Sequence, residues 1–124
     1  MTNGDPIDER RTRLTDSEPN ELQRAVDLLV GRVAHWTPAR WTKPASDTTG
    51  SRAERVHDLV QRLADATADA EGAPRRAVPH LDNDLALPDQ VRVVTADALA
   101  ACAARPDLLA GLASAVRTTS SALD

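Results

Sequence analysis

The chain has 124 residues, 41% of them hydrophobic and 27% charged, with a formal net charge of −4. A chain of this length fits one domain built on one core, and its acidic balance excludes a generic polyanion binder and with it nucleic acid, since Lys43 is the single lysine and the one basic cluster, Arg10, Arg11 and Arg13, lies among Asp5, Asp8, Glu9 and Asp16. No apolar run approaches the roughly 20 residues needed to span a bilayer, and the polar N-terminus lacks a signal peptide's apolar stretch, so a cytoplasmic protein without membrane contact is expected.

Residues 1–16 carry no apolar periodicity and hold Asn3-Gly4 and Asp5-Pro6, which reads as a disordered leader. Leu22, Val26, Leu29, Val33 and Trp36 then recur at four- and three-residue steps. This spacing predicts a helix from about Glu18 to Trp36, its stripe widened by Ala25 and Val30, with Gly31 on the opposite side. Thr37-Pro38 ends it and can start a short new turn.

Ser51-Arg52-Ala53-Glu54 has the Ser-x-x-Glu spacing of a capping box and predicts the start of a second helix. Its inward face is Val56, Leu59, Val60, Leu63, Thr67 and Ala70, and Gly72 is its stop. Asp58 and Arg62 are spaced for an ion pair on its flank. Residues 73–87 hold Pro74 and Pro79 and read as a long connection. A third helix is expected from Pro88, with Val91, Val94, Ala98, Leu99 and Cys102 inward and Val93 pointing away. Arg105-Pro106-Asp107 breaks that pattern. Leu109, Leu112, Ala113, Val116 and Leu123 mark a fourth helix.

The dominance of Ala and Leu favours helices, and the use of Arg over Lys resembles a high-GC bacterial genome. With Cys102 the only cysteine, an intrachain disulfide and a cysteine-rich zinc site are both excluded. Cys102 itself sits in an apolar stripe and reads as a buried small hydrophobe. Among the three histidines, His35 lies on the far side of the first helix, His57 at the edge of the second helix's apolar face and His80 in the connection. None is paired at the i, i+3 or i, i+4 spacing of a helical metal site. His80-Leu81-Asp82-Asn83-Asp84 alternates polar side chains but lacks the glycine and terminal glutamate of a calcium loop.

Trp36 and Trp41 are the only aromatic side chains, with no Phe or Tyr. Trp36 closes the first helix's stripe and reads as a core cap. Trp41 belongs to no stripe: beside Arg40, Pro38 and Pro44 it is placed to pack over the bundle end, to stack on a guanidinium or to line a binding rim.

Trp41-Thr42-Lys43-Pro44, Gly50 and Val56-His57-Asp58-Leu59-Val60-Gln61-Arg62-Leu63 give residues 28–63 a resemblance to the DinB-like bundles, including mycothiol-dependent maleylpyruvate isomerases. The resemblance implies a four-helix architecture with a long crossover. Those bundles bind a divalent metal through three histidines, one just before a leucine of the second helix. Arg62 holds that place here, and the third and fourth helices contain no histidine.

Together these readings give an all-α four-helix bundle over residues 17–124, behind the 1–16 leader, with a long connection between helices two and three. The expected role is non-catalytic: a protein–protein interaction or small-ligand-binding module, a homodimer or bound to a protein partner, with neither metal nor cofactor. Its expected surface is Trp41 and Arg40, with Trp36 and His57. The alternative is a shortened DinB-like protein with a thiol or small-molecule transferase or isomerase pocket.

Overall fold

A computed structural model describes the backbone from residue 6 and side chains from residue 17. The leader expected over residues 1–16 therefore falls outside the described side chains. The described residues form five helices and no strands: α1 Pro6–Val33, α2 Pro38–Trp41, α3 Arg52–Glu71, α4 Leu87–Ala101 and α5 Pro106–Ala122, with a 3-10 turn at Asp84–Ala86. The protein is all-α.

The core is aliphatic and follows the stripes. Leu22, Val26, Leu29, Val30 and Val33 of α1, Val56, Leu59, Val60 and Leu63 of α3, Leu87, Val91 and Ala98 of α4, and Leu109, Leu112 and Val116 of α5 are all buried in one cluster. Four long helices each hide one apolar face in this way, which is where most helical stability in a protein originates. Helix α1 packs chiefly on α5 and α3 chiefly on α4; α3 with α5 and α1 with α4 make the lesser contacts.

Two boundaries differ from the sequence reading. Helix α1 passes through Pro19 and reaches back to Pro6, whereas the expected start was about Glu18. A proline inside a helix forfeits one hydrogen bond and crowds the preceding turn, which is why it reads as a first-turn residue. At the other end α1 stops at Val33, short of Trp36. The Trp36 N–H instead donates to the Val33 carbonyl at 3.1 Å in a turn that still delivers the indole to the core.

The caps behave as their residue types dictate. The Ser51 hydroxyl accepts from Glu54 N–H at 3.1 Å, and the Glu54 carboxylate accepts from Ser51 N–H at 3.0 Å. Gly72 ends α3 in the left-handed conformation, φ 69°. Thr37 caps α2, with Pro38 in its first turn. The loop between α2 and α3 is anchored by Ala45 N–H to the Gly50 carbonyl at 3.0 Å, Arg52 N–H to the Lys43 carbonyl at 2.8 Å and Ser46 N–H to the Ala122 carbonyl at 2.8 Å. One expected contact is missing: Asp58 and Arg62 form no ion pair among the described residues. The carboxylates on that side of α3 engage Arg75 instead, Asp69 at 2.6 Å and Asp65 at 3.9 Å.

Candidate functional site

Of the four residues expected at a binding surface, the structure buries two. Trp41 has no exposed surface and Trp36 very little. The reason is α2: this single turn folds back after the stop at Thr37-Pro38 and directs Trp41 into the same cluster as Trp36. The rim reading of Trp41 is thereby replaced by packing within the core. Arg40 is exposed, but its guanidinium lies 5.0 Å from the Trp36 ring centroid, and that of Arg52 also lies 5.0 Å from it. The expected stacking occurs on Trp36 and not on Trp41. At about 0.5–1 kcal/mol for such a contact at the surface, these two cations help close the bundle end.

His57, the fourth, is partly buried and holds the long connection to α3. Its Nε2–H donates to the Val78 carbonyl at 3.1 Å, and its ring lies 4.3 Å from that of His80. Gln61 continues this tether, accepting from Val78 N–H at 2.8 Å and donating to the Arg76 carbonyl at 2.9 Å. Sequence spacing does not bring His57 and His80 together, because the irregular backbone that follows the end of α3 at Glu71 decides where His80 falls. With its Nε2 engaged on a backbone carbonyl, His57 acts as a strap for residues 76–80. His35 is exposed. Cys102 is buried, its Sγ 3.8 Å from the Ala66 carbonyl, and burial pushes its thiol above the usual cysteine range against the opposing pull of Arg105. It packs as a small apolar group and lacks the exposure that reactivity requires.

The strap positions a surface that sequence periodicity does not reveal. Among the described residues the exposed large hydrophobics are Leu28, Leu81, Leu85 and Val93. Two of these converge: Leu81 and Val93 line one shallow depression of about 300 Å³ with Ala86, Asp89, Gln90 and Val94; Leu85 sits nearby in sequence, in the 3-10 turn that includes Ala86. Leu81, Leu85 and Val93 are 42%, 46% and 62% exposed. Asp89 lines the depression, Asp82 and Asp84 neighbour Leu81 and Leu85 in the chain, Asp97 lies one helical turn beyond Val93, and none of the four forms an ion pair among the described residues. The signal available in the sequence was Val93, the one valine off the α4 stripe.

Two clefts lie elsewhere. One of about 520 Å³ runs between α1 and α5 and is lined by Arg24, Leu28, Arg32 and Arg117, with Glu21 and Asp124 at its edge. Arg32 donates to the Ser120 carbonyl at 2.8 Å and pairs with Asp124. The other, of about 470 Å³, lies between α3 and α5 and carries Asp58, Arg62, Asp65, Asp69, Arg75 and Asp107. No helix among the described residues is long and apolar enough to cross a membrane. Comparison of the chain with known protein families, curated proteins and solved structures gives no match in any of the three.

Proposed function

We propose that this chain is a four-helix-bundle interaction module whose contact surface is the apolar patch of Leu81, Leu85 and Val93. The observation that carries the reading is convergence: two of the four exposed large hydrophobics, Leu81 and Val93, line one depression beside Asp89, with exposed Leu85 in the turn that supplies its Ala86. Exposed apolar groups scattered singly need no explanation, whereas a cluster rimmed by polar residues marks a contact site. The patch is also held in place. Val78 and the carbonyl of Pro79, which accepts from Gln90 at 3.4 Å, pin the chain just before Leu81. A partner thus meets a surface already ordered, which lowers the entropy lost on binding.

A photoreactive side chain in place of Val93, with Thr118 on α5 as an exposed control, tests the reading in living cells. Adducts at position 93 that disappear with Leu85→Asp, and none at 118, are expected. Equal labelling at both positions, or none at 93, would rule the patch out.

A second reading has one observation in its favour. Arg62, which stands where DinB-like bundles place a metal-binding histidine, lines the cleft between α3 and α5. A small-molecule pocket at that position is the DinB-like alternative. Native mass spectrometry of the purified protein distinguishes it, since a retained small molecule released by Arg62→Ala supports this cleft and a bare polypeptide mass counts against it.

A further inference from the structure

The two faces that carry exposed apolar side chains are complementary in charge and in spacing. On α4, Val93 lies between Asp89 and Asp97, four residues to either side and therefore on the same helical face. On α1, Leu28, 71% exposed, lies between Arg24 and Arg32 in the same way. Each flanking pair spans eight residues, about 12 Å along a helix axis at 1.5 Å per residue. One helix laid along the other would set Leu28 against Val93 and bring both arginines to the two aspartates together, in either direction.

Neighbouring groups extend the match. Arg117 of α5 lines the same cleft as Leu28, and Asp82 and Asp84 stand beside Leu81 and Leu85. Arg24, Arg117, Asp89 and Asp97 have no ion-pair partner among the described residues, while Arg32 is shared with Asp124. Opposing charges sit in each face as well, Glu21 in the cleft and Arg92 beside Val93. They are outnumbered on both sides: three arginines line the cleft against Glu21 and Asp124, and Asp89 and Asp97 share the helical face of Val93 against Arg92.

We infer that the occupant of the acidic apolar patch is a second copy of this chain, which docks its α1–α5 cleft, Leu28 between Arg24 and Arg32, onto Val93 between Asp89 and Asp97. This rests on the patch being an interaction surface, as proposed above. A single such contact leaves one face of each kind free on every pair, so association either closes in a twofold dimer that makes the contact twice or continues into larger rings or open chains. Its charged flanks also make it sensitive to salt.

Two double variants separate this arrangement from its alternatives. Arg24→Ala with Leu28→Ala removes the cleft face, and Asp89→Ala with Val93→Ala removes the patch face; all four side chains are exposed on helices, where alanine is well tolerated. In sedimentation velocity at low salt the wild-type chain should form dimers or larger species that dissociate at high salt. Each variant alone should be monomeric with unchanged thermal stability. Their equimolar mixture should form a 1:1 dimer and nothing larger, because only one live pair of faces remains.

A wild-type chain that stays monomeric at low salt would overturn the proposal, as would a mixture that stays monomeric or a cleft variant that still self-associates. The photoreactive residue at position 93 keeps this apart from the parent reading. Labelling of residues 24–32 of a second copy supports the inference. Labelling of a different protein, or of α4 in the second copy, overturns docking of the cleft onto the patch but leaves the patch as an interaction surface, and absence of labelling removes both.

Discussion

Trp41 meets Trp36 edge to face, with ring centroids 5.0 Å apart and planes at 65°. This is a favoured geometry for aromatic pairs, worth about 0.5–1.5 kcal/mol beyond the area buried. It also joins the turn that follows α1, which carries Trp36, to α2, which carries Trp41. The indole N–H of Trp41 is buried with no acceptor among the described residues, so the pair contributes through packing and not through a hydrogen bond.

Substitution at position 41 should separate those two contributions. Trp41→Ala removes the ring and is expected to cost about 3–5 kcal/mol, the range for deleting a large buried aromatic. Trp41→Phe also removes the N–H, whose burial without a partner is unfavourable by about 1–3 kcal/mol, and this offsets much of the lost volume. Urea unfolding should place Trp41→Phe within about 1 kcal/mol of wild type. A Phe variant as unstable as the Ala variant would mean that the N–H is satisfied after all. Native tryptophan emission should be blue-shifted and protected from acrylamide.

The capping box offers a prediction with a sign in pH. Ser51→Ala should cost on the order of 1 kcal/mol. Glu54 has its carboxyl held below a glutamate's ordinary 4.5, first by the backbone N–H of Ser51, then by the Ser51 side chain, with a smaller pull from His80. A carboxyl lowered in the folded state adds stability above its unfolded value, and that addition is lost as pH falls through the folded value. The stability gap between wild type and Glu54→Gln should therefore be full at neutral pH and shrink on acidification below about 4.5. Denaturation curves at pH 7 and at about pH 3 read it; a gap unchanged between them would contradict the assignment.

What the sequence made legible was local. The stripes of all four long helices, the Ser51–Glu54 box, the Gly72 stop and the Thr37-Pro38 restart each depend on residues within a few positions, and the helix period carries them directly. Trp41 was not legible in the same way, because its burial depends on the angle at which α2 returns, set by Thr37 and by anchors as distant as Ala122. The exposed apolar patch was half legible. Val93 stood off its stripe, but Leu81 and Leu85 lie in irregular chain whose course depends on His57 and Gln61, some twenty positions earlier.

Two glycines should respond in opposite directions to alanine. Gly72 holds φ 69°, a conformation that side chains rarely adopt, so Gly72→Ala should destabilise by about 1 kcal/mol. Gly31 lies in α1 with nothing within 4 Å of an added methyl group. Gly31→Ala should stabilise by about 0.5–1 kcal/mol, through higher helix propensity and a less flexible unfolded chain. Thermal melts of the two variants with wild type check both signs at once, and shifts in the same direction would refute the backbone account of one of them.

Cys102 should report on the integrity of the core. It has no exposed surface, and burial raises its thiol, so thiolate and access are both scarce in the folded state. Alkylation by iodoacetamide should be negligible in native protein and should rise with urea along the same curve as tryptophan emission. Fast labelling well before that transition would place Cys102 in a region that opens separately from the core. Cys102→Ser tests the packing role directly: a hydroxyl in this buried site should cost about 1–3 kcal/mol. If the serine variant were as stable as wild type, the site would hold water or an acceptor that satisfies the hydroxyl. The Ala66 carbonyl, 3.8 Å from Sγ, is too far for the O–H···O bond of a serine, which needs about 2.5–3.0 Å, so the full loss is expected.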